Sequence, residues 1–170
     1  MCIRDRRDVA ARLIDRMDVI KREFPLVLDL GSHHGLLSPL LAARAGTETV
    51  FSSDLSPRFA AASPALAVAA DEEYLPFAPA SLDAVVSNMS LQWVNDLPGA
   101  MLQIKNALKP DGLFMTAVLG GESLRELRDS LMTAELNITG GASPRVSPFI
   151  DLRDMGGLMP VSYTHLRAHE

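Results

Sequence analysis

Apolar positions in this chain switch repeatedly between two periods. Val9, Leu13, Met17 and Ile20, with charges between them, predict an amphipathic helix over 7–22. Pro25-Leu-Val-Leu-Asp-Leu30 is then a short apolar run ending next to an acid, which predicts a buried strand. The glycine-bounded stretch 31–35 reads as a turn into a short alanine-rich helix over 36–45, with Gly46 as its stop. Further strands are predicted at 49–53, 65–70, 82–87 and 113–118. Between them, Ser56-Pro57 opens a helix of about two turns, and Pro76 and Pro79 mark a loop. Asp96 caps a helix running to Leu108, and Lys109-Pro-Asp-Gly112 forms a turn before the last strand. A final helix over 122–137 aligns Leu124, Leu127, Leu131 and Ala134 on one face. Five strands joined by helices predict a Rossmann-like α/β fold, a doubly wound and mostly parallel sheet, with ligands at the carboxyl ends of its strands.

The polar residues at those ends carry the candidate chemistry. Asp29, Asp54, Asp71 and Asn88 each fall at or just after a predicted strand end. Asp54 follows Gly35 by nineteen residues, the distance at which such sheets place a carboxylate on ribose hydroxyls, and Asp71 follows seventeen residues later. Gly31 and Gly35 allow a tight turn and close backbone approach to a ligand. Adenosine is the first ligand class this arrangement suggests. Each acid has an ordinary structural alternative: Asp29 and Asp54 as helix caps, Asp71 as a solvated charge beside Glu72 and Glu73. Adjacent His33 and His34 point apart from a turn and do not suggest a metal site, so structural or pocket-lining roles are expected for them. Trp93 is expected to pack below the pocket, and Met89, Met101, Met115 and Met132 to fill the core.

The termini need separate treatment. Met1-Cys-Ile-Arg-Asp5 can be encoded by ATG-TGT-ATA-AGA-GAC, whose reverse complement, GTC-TCT-TAT-ACA-CAT, translates as Val161-Ser-Tyr-Thr-His165. An inverted repeat at both ends of a reading frame is what ligated sequencing adapters leave. Residues 1–6 and 160–170 are therefore expected to be translated adapter, leaving 7–159 as one incomplete domain. Cys2, the single cysteine, lies in the excluded part, so no disulfide framework, zinc site or cysteine nucleophile is indicated. Excluding Arg4, Asp5, Arg6, Arg167 and Glu170 moves the formal net charge from −5 to −6, that is 13 basic against 19 acidic residues. An acidic domain lacks the electrostatic footprint for duplex nucleic acid. No apolar run reaches the roughly 18 residues of a membrane span, and no signal peptide is visible.

The string Asp29-Leu-Gly-Ser-His-His-Gly35 resembles the first motif of class I S-adenosylmethionine-dependent methyltransferases. Asp54, Asp71 with Leu75-Pro-Phe77, and Leu108-Lys-Pro-Asp-Gly112 match that family's later motifs in order. Four strings resemble more narrowly the respiratory complex I (NADH:ubiquinone oxidoreductase) assembly factor 5 branch and its bacterial relatives. They are Ala70-Asp-Glu-Glu-Tyr-Leu-Pro-Phe77, Ser90-Leu-Gln-Trp-Val-Asn-Asp-Leu-Pro98, Gly120-Gly-Glu-Ser-Leu-Arg-Glu-Leu-Arg128 and Gly140-Gly-Ala-Ser-Pro-Arg-Val-Ser-Pro-Phe149.

The resemblance implies S-adenosyl-L-methionine as cofactor. It implies Gly31, Ser32 and Gly35 at its methionine part, Asp54 and Leu55 at the ribose, Asp71 and Glu72 at the adenine, and Asn88 near the sulfonium; Asp29, read from its position alone, is placed to hold a cationic ligand group through water. Where the family turn carries a central glycine this chain has His33, whose side chain must point away from the cofactor or narrow its pocket. Methyl transfer to an acceptor is the leading implied reaction. Two alternatives stay open: hydroxylation of an arginine on a complex I subunit, and non-catalytic chaperoning of such a client by the segments 122–137 and 140–149. The implied location is cytoplasmic in a bacterium or the mitochondrial matrix side in a eukaryote. A nicotinamide dehydrogenase is disfavoured, because the turn lacks G-x-G-x-x-G spacing. The parent family continues past Met159 with further strands, so the fifth strand is expected to be an exposed edge.

Overall fold

A computed structural model describes residues 3–147 and 149–162, which divide into two compact units, Met1–Val118 and Leu119–Glu170. The first unit holds α1 (Ile3–Asp18), β1 (Leu26–Leu30), α2 (Ser38–Ala42), β2 (Thr49–Asp54), α3 (Pro57–Ala62), β3 (Leu66–Ala69), β4 (Leu82–Asn88), α4 (Leu97–Ala107) and β5 (Leu108–Ala117). Its five strands form one sheet in the order β3-β2-β1-β4-β5, and every neighbouring pair is parallel. The chain runs outward from β1 to β3, then returns to the other side of β1 with β4. That reversal creates the crevice in which open α/β sheets bind ligands.

Burial explains the strand sequences. β4 is buried along its whole length, and Ala84, Val85 and Val86 at its centre form an apolar run without alternation, as a central parallel strand requires. Ala10, Leu13 and Met17 of α1 pack with Phe24, Val27, Leu37, Leu41, Ala84 and Val86 in the core. The helix starts and ends four residues before the span the periodicity predicts, and residues 3–6 continue it in the amino-terminal direction. α2 is confined to five residues and ends at Ala42, ahead of the expected stop at Gly46.

Local chemistry sets several boundaries as expected. Pro57 occupies the first turn of α3 after an extended Ser56. The Asp96 side chain accepts from the Gly99 N–H at 2.9 Å and caps α4. The Lys109-Pro-Asp-Gly112 segment departs from expectation: it is not a turn ahead of the strand but an irregularity inside β5. Leu82 pairs with Leu108 while Ala84 pairs with Leu113, and Asp111 takes a positive φ of 62° to absorb the extra residues. Asp83 fastens this end of the sheet, accepting from the Leu26 N–H at 2.9 Å and from Lys109 Nζ at 2.8 Å. Two distant strand starts are thereby tied through one carboxylate. Among the described residues β5 pairs with β4 alone, and short β3 forms the other edge.

The second unit contains α5 (Arg125–Thr139) and α6 (Leu152–Ser162). α5 ends at Gly140, whose φ of 71° lets its N–H reach the Leu136 carbonyl at 3.0 Å. Glu135 accepts from Ser143 and Arg145, folding the glycine-rich stretch back on its own helix. The Leu124, Leu127, Leu131 and Ala134 face is exposed, and no residue of α5 is buried. No described helix is long and apolar enough to cross a membrane.

Candidate functional site

The sequence-predicted site residues lie at or just after the carboxyl ends of β1, β2 and β4, or in the loop after β3. Gly31 leaves β1 with a φ of 69°, and the N–H groups of Gly31 and Ser32 both donate to the Ser53 carbonyl at 2.9 Å. This fixes the turn against the end of β2. A Cβ on Gly31 would lie 2.0 Å from Ser90 Oγ and 2.8 Å from Glu72 Oε1, so the position admits no side chain. Gly35 also has a positive φ, 64°, and closes the turn.

Asp29 is fully buried. Its Oδ2 accepts from the Ser38 hydroxyl at 2.5 Å, while Oδ1 has no hydrogen-bond partner. Burial is the main cause raising its pKa from 3.8 to about 7; the Ser38 hydroxyl and backbone N–H oppose that shift, and the nearby Asp54 charge adds to it. Part of the helix-cap alternative is thus realised, through Ser38 at the start of α2. Sequence reasoning missed the hydroxyl chain behind it: Ser38 Oγ lies 2.9 Å from Ser52 Oγ, and Ser52 Oγ lies 2.6 Å from Ser63 Oγ. The one available signal was the pair Ser52-Ser53 in an otherwise buried strand.

Asp54 accepts twice from backbone, from the His33 N–H and from the Ser56 N–H, each at 2.8 Å. The Ser56 bond closes a turn just ahead of α3, whose N-cap is Ser56, so Asp54 does not cap the helix. Each oxygen keeps a further lone pair that can accept a hydroxyl. His33 takes a positive φ of 48° and leans toward Asp54, with Nδ1 3.7 Å from Oδ2 and its ring edge-on to Phe59. The side chain at the central turn position thus flanks this carboxylate. Burial, then the Arg6 charge, lowers its pKa. His34 packs edge-on against Phe59 at 4.9 Å, and among the described residues no cluster of His, Cys, Asp or Glu could hold a metal.

Leu55 is exposed. Asp71 accepts from the Glu73 N–H at 2.9 Å, an internal loop bond, whereas Glu72 accepts from Ser90 Oγ at 2.6 Å and so faces the Gly31 turn. Asn88 ends β4 and is buried, its Nδ2 donating to the Arg6 carbonyl at 2.9 Å and its Oδ1 without a partner. The structure thus brings Gly31 to Glu72 and the turn to Asp54, and leaves Leu55 and Asp71 outside these direct contacts. Ser90 is a further residue the sequence did not single out. Trp93 corrects an expectation: it is 57% exposed, because it ends a single 3₁₀ turn on the surface rather than packing below the site. Met89 and Met101 are buried as expected and Met115 packs against the core, but Met132 is exposed on α5.

The acceptor-rich set of polar atoms here suits an amino-acid-bearing nucleoside, which brings an ammonium group and hydroxyls to donate. Asp29 Oδ1, Ser32 Oγ and Asn88 Oδ1 are buried without hydrogen-bond partners, and the Gly31 turn lies between the Asp54 and Glu72 carboxylates.

Comparison with known proteins agrees with this geometry. The chain is 45% identical over 158 residues to the mitochondrial arginine-hydroxylase NDUFAF5 of Danio rerio, an alignment covering 91% of this chain and 49% of the relative. It is 44% identical over 162 residues to the protein of the same name from Homo sapiens, covering 91% and 46%. With the malonyl-[acyl-carrier protein] O-methyltransferase of Methylovorus sp. it shares 37% identity over 164 residues, covering 88% and 53%. The chain thus spans about half the length of these curated relatives. Among solved structures, the [4+2]-cyclase SpnF superposes with a TM-score of 0.69 at 14% identity, covering 92% of this chain and 57% of that one. An arsenic(III) S-adenosylmethionine methyltransferase from Chlamydomonas reinhardtii superposes with a TM-score of 0.58 at 18% identity, covering 81% and 50%. These two likenesses concern the fold alone. The family model described as a methyltransferase domain matches residues 28–116, just over half of the chain and the segment that builds the sheet and the glycine turn; the chain belongs to this methyltransferase domain family and has the Rossmann-like class I methyltransferase fold.

Proposed function

We propose that this chain binds S-adenosyl-L-methionine at the carboxyl ends of β1, β2 and β4 and transfers its methyl group to an acceptor. The observation that carries the reading is the turn from Gly31 to Gly35, set at the β1/β4 reversal with buried, unpartnered oxygens beside it. Gly31, Ser32 and Gly35 would line the methionine part, and Asp29 would hold its amino group. Asp54 would accept the ribose hydroxyls beside Leu55, Asp71 and Glu72 would face the adenine, and Asn88 would lie near the sulfonium. The bound cofactor supplies an already activated methyl group. The protein's part is to orient the acceptor and exclude water, which explains why no nucleophile or base constellation is needed. Residues 1–6 and 160–170 we treat as adapter-encoded, so the contact of Arg6 with Asn88 is not counted toward the site.

A second reading, hydroxylation of an arginine on a respiratory complex I subunit, is favoured by the name of the most similar relatives reported above, 44 and 45% identical across 91% of this chain. A complex I subunit is the proposed client in either case, in the mitochondrial matrix or, for a bacterial source, the cytoplasm. Calorimetric titration of S-adenosylmethionine into the chain, beside Asp54→Ala, tests the site. Saturable binding lost in the variant is the expected result, and no binding by the folded protein would refute it. Mass spectrometry of incubated client subunits then separates the reactions by the gain of a methylene or of an oxygen atom.

A further inference from the structure

The two strings 70–77 and 90–98, remote in sequence, are stitched together in space. Glu72 Oε1 accepts from Ser90 Oγ at 2.6 Å. Glu73 Oε1 accepts from the Asn95 N–H at 2.7 Å, from Asn95 Nδ2 at 3.3 Å and from the Asp96 N–H at 3.3 Å. Seven residues further on, α4 adds a third tie. Gln103 Oε1 accepts from the Leu75 N–H at 2.9 Å, and its Nε2 donates to the Glu73 carbonyl. One side-chain amide thereby satisfies the backbone on both sides of Tyr74, as a neighbouring strand would. Apart from a local turn bond from Tyr74 N to the Asp71 carbonyl, the segment 71–75 has no regular backbone pairing of its own. Its position therefore depends on these side chains.

We propose that Gln103, acting with Glu73, is a specificity-determining positioning residue that holds the acidic segment in place to select an adenine base. The inference rests on the cofactor reading above. A 6-amino purine donates a hydrogen bond to a carboxylate, whereas a 6-oxo purine turns an acceptor toward it and leaves both oxygens unsatisfied. Such rejection works only if the carboxylates cannot retreat or admit water. Glu72 is held 2.8 Å from the position a Gly31 Cβ would occupy, so the clasp fixes the spacing between the acidic segment and the glycine turn. Neither Gln103 nor Glu73 needs to touch the ligand.

The test compares S-adenosylhomocysteine with S-inosylhomocysteine by calorimetry, using the full chain and the variants Gln103→Glu, Gln103→Ala and Glu73→Gln. Gln103→Glu keeps the shape but turns an acceptor toward the Glu73 carbonyl. The wild-type chain is expected to prefer the adenine compound by at least about thirtyfold, and each variant to lower that ratio about fivefold or more with its melting temperature almost unchanged. A ratio that stays at the wild-type value overturns the proposal. So does equal weakening of both compounds together with a lowered melting temperature, which would mark the clasp as structural only. If the wild-type chain binds neither compound, the cofactor reading falls and the inference with it. If one Gln103 variant fails to fold, the other and Glu73→Gln carry the same comparison.

Discussion

Replacing Asp29 by Asn should change how stability depends on pH. Asp29 is fully buried, with one oxygen on the Ser38 hydroxyl and the other unpartnered, and burial raises its pKa from 3.8 to about 7. An acid whose folded pKa exceeds its unfolded one keeps its proton better in the folded state. Below pH about 4 both states are protonated and the group is neutral in effect. Between about 4 and 7 only the unfolded chain ionises, so stability falls as pH rises, and above about 7 the penalty is complete. The separation of about three pKa units, at ~1.4 kcal/mol each, gives a full penalty of about 4 kcal/mol. Asn escapes this penalty, but buries an amide N–H without an acceptor at a cost of ~1–3 kcal/mol at every pH. The variant should therefore be less stable than wild type near pH 4 and at least as stable near pH 8. Urea denaturation of both proteins across that range measures the difference, in which other titrating groups largely cancel. Parallel profiles would refute the reasoning, because they would mean that Asp29 ionises as easily in the folded state as in the unfolded one.

Gly31→Ala forces a side chain into a φ of 69° and within 2.0 Å of Ser90 Oγ, so a loss of about 2–4 kcal/mol is expected in denaturant unfolding, with cofactor binding abolished. His33→Gly removes a left-handed non-glycine residue and the ring flanking Asp54; calorimetry should show tighter binding of S-adenosylhomocysteine by about threefold or more. Asp54→Ala strips the acceptor from the His33 and Ser56 N–H groups, and thermal unfolding should register a loss of about 2 kcal/mol alongside lost binding. Met17→Ala, on the buried face of α1, should cost ~2–5 kcal/mol while leaving cofactor affinity unchanged, which separates packing from site effects.

The strand-helix alternation and the acids at strand ends were legible because each rests on local chemistry. A buried parallel strand needs an apolar stretch, as residues 26–28 and 84–86 supply, and Pro57 and Asp96 act within one turn of their own position. The bulge at 109–112 was misread as a turn because its composition suits both; pairing with β4 decides between them. Trp93 and Met132 were placed inside by hydrophobicity, a property that says nothing of whether a particular neighbour arrives to cover them.

The sequence by itself determined the α/β class, the parallel sheet and the acidic and polar residues that stand at its strand ends. Only the tertiary structure decided which of them meet. Asp29 joins Ser38, Ser52 and Ser63, Asp54 receives the His33 N–H, and Glu72 reaches Ser90, while Gln103 clasps a loop twenty-eight residues before it. These pairings join groups from nine to thirty residues apart, and nothing in the residue types marks them as partners. They come about because a parallel sheet delivers successive strand ends to one edge, where loops distant along the chain must share the same space.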